Sequence, residues 1–269
     1  MRTDCTAAAP PVAPRAASPV LMHLGAVLVA VLVGLGAVLI TCNARAWAAG
    51  SVAGMTVVLD PGHNGVADPS ISRQVPNGRG GTKECNTSGT ATSDGYPEHA
   101  FTWDVALHVR GALDALGVRT TMTRDSDNGV GPCVDQRAAL ANAATPDAIV
   151  SIHADGGPPS GSGFHVNYSS PPLSDVQAGP TLALATTMRD ALVAAGLHES
   201  NYVGGQGLYG RSDLAGLNLA QYPAVLVELG NMKNAGEAAL MESADGRAKY
   251  AEAVTAGITN YLSNKAPSH

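Results

Sequence analysis

Two histidines and two glutamates stand where this chain changes from one kind of segment to another, and side chains of these types can hold a metal ion and move a proton. The strand-forming run Thr56–Leu59 meets Asp60-Pro61-Gly62, a turn sequence that presents His63. A second apolar run, Ala148–Asp155, carries His153 near its end, and a third, Ala224–Gly230, carries Glu228. Glu98 opens an amphipathic segment just after Pro97. In open α/β sheets, ligands collect beyond the carboxyl ends of the strands, which is where the two histidines and Glu228 are expected to arrive. His63, Glu98 and His153 form the three-ligand set of a catalytic zinc site, with the fourth position left open.

The elements that position these residues follow from periodicity. Glu98–Leu116 places Phe101, Val105, Val109, Leu113 and Leu116 on one helical face, introduced by Pro97 and closed by Gly117. Glu98 lies on that same face, where a carboxylate is costly unless paired or bound to metal. His99 is about 100° further round, which makes it a weaker candidate. Val66–Tyr96 has no apolar period and reads as a long loop, with room for a short hairpin, that borders the cleft. Further strands are expected at Val118–Thr123 and, with weak alternation, at Phe164–Tyr168, whose His165 is read as structural. Helices are expected at Asp135–Ala144, Leu182–Ala195, Ala235–Met241 and Gly246–Leu262, and Leu208–Asn218, holding Arg211 and Asp213, reads as irregular. Alternation of strand and helix predicts an α/β fold: a mostly parallel twisted sheet covered by helices on both faces. No repeat, coiled coil or Gly-rich phosphate loop is present in the sequence.

The first 49 residues differ in kind from the rest. Val20–Ile40 is nearly unbroken Leu, Val, Ala and Gly, with Arg2 and Arg15 before it and small residues at Ala44, Ala46 and Ala48 after it. This pattern predicts a signal peptide over 1–49, or an uncleaved anchor, since roughly 20 apolar residues span a bilayer. One catalytic domain is expected over 50–269, exported to the periplasm or cell wall, with membrane contact only through an uncleaved N-terminal segment. Removing Asp4, Arg2, Arg15 and Arg45 from the 22 acidic and 16 basic residues leaves 21 and 13, a charge of −8. That balance excludes a nucleic-acid backbone as partner, and Arg73, Arg79 and Lys83 read as a solvated loop. Cys85 and Cys133 form an even pair outside the leader and predict a disulfide; neither has the paired spacing of a zinc ligand.

Taken together, several motifs resemble the zinc-dependent N-acetylmuramoyl-L-alanine amidases of the amidase 3 type, in order from about Met55 to Tyr261. They are Leu59-Asp60-Pro61-Gly62-His63, Glu98 at its helix start, Arg137 and Asn142, Val150-Ser151-Ile152-His153-Ala154-Asp155, and Pro223 through Gly230. Carried over by position, the resemblance implies that His63, Glu98 and His153 hold one zinc ion and that Glu228 is the catalytic carboxylate. It implies cleavage of the amide between the lactyl group of N-acetylmuramic acid and L-alanine, in peptidoglycan or muramyl-peptide fragments, by a chain expected to be monomeric. Asn64 and Asn231-Met232 depart from the family pattern and bear on cleft shape; no wall-binding repeats accompany the domain. Two other functions share these residues: a zinc peptidase cutting within the stem peptide, and a silent regulator that binds wall peptides.

Overall fold

The computed structural model describes residues 52–265. The leader and its choice between cleavage and anchoring lie outside them; among the described residues no helix is long and apolar enough to cross a membrane. Strand β1 (Thr56–Pro61) is followed by a hairpin of β2 (Gln74–Pro76) and β3 (Thr82–Glu84), then by helix α1 (Glu98–Ala115), β4 (Arg119–Met122), α2 (Val134–Ala143) and β5 (Ala148–Asp155). Next come β6 (His165–Ser169), the short α3 (Asp175–Ala178), α4 (Pro180–Ala194), β7 (Leu208–Arg211) and one turn of α5 (Ala215–Asn218). Strand β8 (Ala224–Asn231), α6 (Ala235–Glu242) and α7 (Ala244–Lys265) complete the described residues.

Six strands form one sheet in the order β4-β1-β5-β8-β6-β7. All neighbours run parallel except β8 and β6, which are antiparallel. The expected mostly parallel α/β sheet is therefore present. Alternation along the strands decides which residues meet which layer. Val57, Leu59, Val150, Ile152, Val225 and Val227 face a large core with Phe101 and Val105 of α1, Leu184 and Met188 of α4, and Val254 and Ile258 of α7. Val58, Ile149 and Ala224 face the other side, against Ala141 of α2 and Leu217 of α5. This second layer is thin, and the face it leaves free becomes the cleft.

Two expectations are corrected. Leu208–Asn218 is not irregular: Leu208–Arg211 pairs with β6, and Ala215–Asn218 is helical. The hairpin is docked rather than solvated. Arg79 donates to Asn218 Oδ1 (3.0 Å), Ser169 Oγ (2.9 Å) and the Pro171 carbonyl, and Lys83 Nζ reaches the Asp213 carbonyl at 3.1 Å. A disulfide joins Cys85 to Cys133, 48 residues apart, and ties this loop to the first turn of α2. Closing a loop of that length stabilises the fold by about 4 kcal/mol. Reduction is expected to lower the melting temperature by roughly 8–16 °C for a domain of this size, read by thermal melts with and without a reductant. An unchanged melt would assign the loop no part in holding the fold.

Candidate metal centre

The segment after β1 is bent to deliver His63. That residue has φ of 63°, a left-handed conformation uncommon for anything but glycine. Arg137, buried on α2, holds the bend. Its Nη1 donates to Asp60 Oδ1 (2.8 Å) and the Pro61 carbonyl (2.7 Å), and its Nη2 to the His63 carbonyl (2.5 Å) and Asn64 Oδ1 (2.7 Å). Asp60 also accepts from Ser151 Oγ (2.6 Å) and Thr123 Oγ1 (2.5 Å). Burial would raise its carboxyl pKa, yet Arg137 and these hydroxyls hold it well below the usual range. Asn142 acts further out: its amide bonds the Leu219 carbonyl and the Gln221 N–H, pinning the approach to β8.

The three expected ligands converge. His63, Glu98 and His153 each offer one ligand atom, all within 4.8 Å of one another. Glu98 is the hub: Oε2 lies 3.0 Å from His63 Nε2, and Oε1 lies 2.9 Å from His153 Nδ1. Its oxygens also accept the Thr90 and Ala154 N–H groups. Burial would raise the Glu98 pKa, but hydrogen bonds from His153 and His63 pull it well below the ordinary value. Two glycines permit this density. A Cβ on Gly62 would lie 2.3 Å from the His153 ring, and one on Gly89 would lie 2.8 Å from Glu98 Oε2.

The chemistry of these donors fits a metal cation. His63 Nδ1 meets the Thr87 carbonyl at 2.9 Å, and a carbonyl only accepts, so Nδ1 carries a proton there. In the neutral ring Nε2 is then a lone pair facing a carboxylate oxygen 3.0 Å away. Two acceptors at that distance require a cation or a further proton. Burial opposes charging His63, but Glu98 outweighs it and raises the imidazole pKa. With one ligand atom from each residue and all three within 4.8 Å of one another, the cluster is compact enough for a single ion to be shared among them.

Glu228 is Cα-paired with His153 on one side and His165 on the other, so all three share a sheet face. It lines the same cleft as the three candidate ligands, a space of about 350 Å³ that includes Ile149, Leu217 and Leu226. Glu228 Oε2 is buried without a hydrogen-bond partner among the described residues. Burial, with Glu98 and Asp155 nearby, pushes its pKa well above the ordinary value, against a smaller opposing effect of Arg211. His165 is not in the ligand group. It is buried, and its pKa falls to about 4 through desolvation, which leaves it neutral. His99 turns away as expected and meets Asp127 at 2.9 Å.

Arg124 is buried beside this centre and bonds the Pro61 and His99 carbonyls. It sits in Thr123-Arg124-Asp125, beyond the end of β4, and a charged residue past a strand end was the only signal for it. The Tyr202 hydroxyl donates to Asp155 Oδ2 at 2.9 Å from a loop whose sequence has no pattern.

Comparison with known proteins shows the family. The N-acetylmuramoyl-L-alanine amidase family model matches residues 57–260. The chain is 63% identical over 215 residues to N-acetylmuramoyl-L-alanine amidase Rv3717 of Mycobacterium tuberculosis, covering 80% of this chain and 89% of that one. It is similar to the crystal structure of the N-acetylmuramyl-L-alanine amidase Ami1 from Mycobacterium smegmatis, with TM-score 0.79 and 64% identity over 79% of this chain and 99% of that one. The apo form of Ami1 from Mycobacterium abscessus gives TM-score 0.78 and 65% identity over 78% and 100%. The match spans the sheet, both helical layers and every candidate site residue, and the chain belongs to the N-acetylmuramoyl-L-alanine amidase family.

Proposed function

We propose that this protein hydrolyses the amide between the lactyl group of N-acetylmuramic acid and L-alanine of the stem peptide, with one zinc ion held by His63, Glu98 and His153 and with Glu228 moving the proton. The observation that carries the reading is a buried, unpartnered carboxyl oxygen on Glu228 in the same cleft as the three donors. When bound, zinc supplies Lewis acidity that polarises a carbonyl and acidifies water. Glu98 aligns both imidazoles, and the Thr87 carbonyl fixes the His63 tautomer. The Glu228 carboxylate takes the proton of the attacking water and returns it to the departing L-alanine nitrogen, which cannot leave as an anion. A raised pKa suits the second step, because it makes the protonated carboxyl accessible as the acid. Ile149, Leu217 and Leu226 give the cleft an apolar wall that limits water around the reacting amide.

A cleft of about 350 Å³ suits the lactyl-alanine junction with its immediate neighbours, as in a muramyl peptide. The leader-like composition of residues 1–49 supports export of a catalytic domain over 50–269, which would put it where this substrate lies. The experiment is mass spectrometry of products from a defined muramyl peptide, with zinc-loaded and chelated protein side by side. Free N-acetylmuramic acid and intact stem peptide, lost on chelation, are expected. Fragments cut within the peptide would move the assignment to a zinc peptidase, and no turnover with zinc bound would move it to a wall-peptide-binding regulator.

A further inference from the structure

Arg124 is 3% exposed and belongs to none of the groups discussed above as ligand or catalyst. Its guanidinium joins two parts of the chain that each carry a candidate ligand. Nε donates to the Pro61 carbonyl at 3.0 Å, two residues before His63, and Nη2 donates to the His99 carbonyl at 2.9 Å, one residue after Glu98. Nη1 donates to Asp127 Oδ1 and to the Ser126 carbonyl, both at 2.8 Å, and the guanidinium lies 4.8 Å from the centre of the Trp103 ring. Asp127 in turn meets His99 Nδ1, so the far end of the arginine is fixed to the same turn of α1. The guanidinium is a rigid plane, so carbonyls bound to Nε and Nη2 are held at a set separation, which the flexible single ammonium of a lysine cannot reproduce.

The contrast with Arg137 sharpens the assignment. Arg137 bonds Asp60, Pro61, Pro132, His63 and Asn64, all on the β1 side of the centre or in the loop before α2, whereas Arg124 reaches both β1 and α1. Both guanidiniums bond the one Pro61 carbonyl, a crowding of like charge in a buried place. Asp60 and Asp127 offset it. The β1–α1 junction is also tied by Thr102 Oγ1, which donates to the Gly62 carbonyl at 2.9 Å, and by the His63–Glu98 pair. We propose that Arg124 is a positioning residue for the metal centre: it sets the distance between the segment bearing His63 and the helix turn bearing Glu98, with Asp127 and His99 locking it. This rests on the zinc reading given above.

The test measures zinc affinity by chelator competition, with melting temperature, in the wild-type protein, Arg124→Met, Arg124→Lys and Leu192→Ala. Leu192 is a fully buried residue of α4 outside the site and serves as a control for simple destabilisation. Arg124→Met is expected to weaken zinc binding by about 10- to 100-fold. Arg124→Lys is expected to fall between Met and wild type, because an ammonium cannot hold both carbonyls at the set separation. Leu192→Ala is expected to lose melting temperature and keep wild-type affinity. Wild-type affinity in Arg124→Met, or an equal loss in Leu192→Ala, would overturn the positioning role while leaving the zinc reading intact. A wild-type protein that binds no zinc would overturn both. Should Arg124→Met not fold, Asp127→Asn carries the same readout, with weakened zinc binding expected and wild-type affinity counting against the role.

Discussion

Glu228→Ala is expected to reduce kcat on a muramyl peptide by about 100- to 10,000-fold, the range for loss of a general acid–base group, with zinc content unchanged. The two halves of this expectation have separate grounds. The kinetic half follows from Glu228 lining the cleft with a carboxylate oxygen that no hydrogen bond holds among the described residues; the alanine protein has neither an acceptor for the water proton nor a donor for the leaving nitrogen. The zinc half follows from the donor cluster, which comprises His63, Glu98 and His153 and does not need Glu228. Glu228→Gln preserves shape and should be nearly as impaired, since an amide neither takes nor returns the proton. Zinc content by atomic absorption and steady-state kinetics check both. Loss of zinc with loss of activity would make Glu228 a ligand instead, and retained activity would remove it from the chemistry.

Glu98→Ala is expected to abolish stoichiometric zinc and with it activity, by at least about 1,000-fold if Lewis acidity supplies several kcal/mol at the transition state. The same change should destabilise the metal-free fold. Glu98 is 3% exposed and is the shared partner of His63, His153 and the Thr90 and Ala154 N–H groups. Removing one side of such a buried arrangement costs roughly 3–5 kcal/mol. For a domain of this length that corresponds to a melting temperature lower by roughly 6–20 °C. Glu98→Gln should keep more of the fold than of the zinc, because it retains the volume and an acceptor but loses the charge. Full zinc occupancy in Glu98→Ala, with unaltered melting, would sink the assignment of Glu98 as a ligand.

The sequence by itself determined the parts of this protein whose side chains announce their surroundings. Val57–Leu59, Ile149–Ile152 and Val225–Val227 are apolar enough to be buried strands, and His63, His153 and Glu228 stand out because each interrupts or ends such a run. Glu98 was legible for the same reason on a helix, as an acid on the face that Phe101 and Val105 bury. The Cys85–Cys133 bond followed from parity in a chain with a leader-like start, and it is present. Tertiary structure alone decided the rest, and the reason is that these features draw their stability from distant partners. Leu208–Arg211 has no apolar alternation and becomes a strand only because β6 offers it an edge. The antiparallel placement of β6 beside β8, which puts His165 next to Glu228, is written in no local period. Arg79 was read as a solvated charge, yet it finds Asn218 139 residues away. Arg124 binds the carbonyls of Pro61 and His99, 63 and 25 residues back. Backbone carbonyls look alike in every sequence, so which of them a buried guanidinium will meet, and hence how far apart two ligands are held, is fixed only when the sheet and its helices come together.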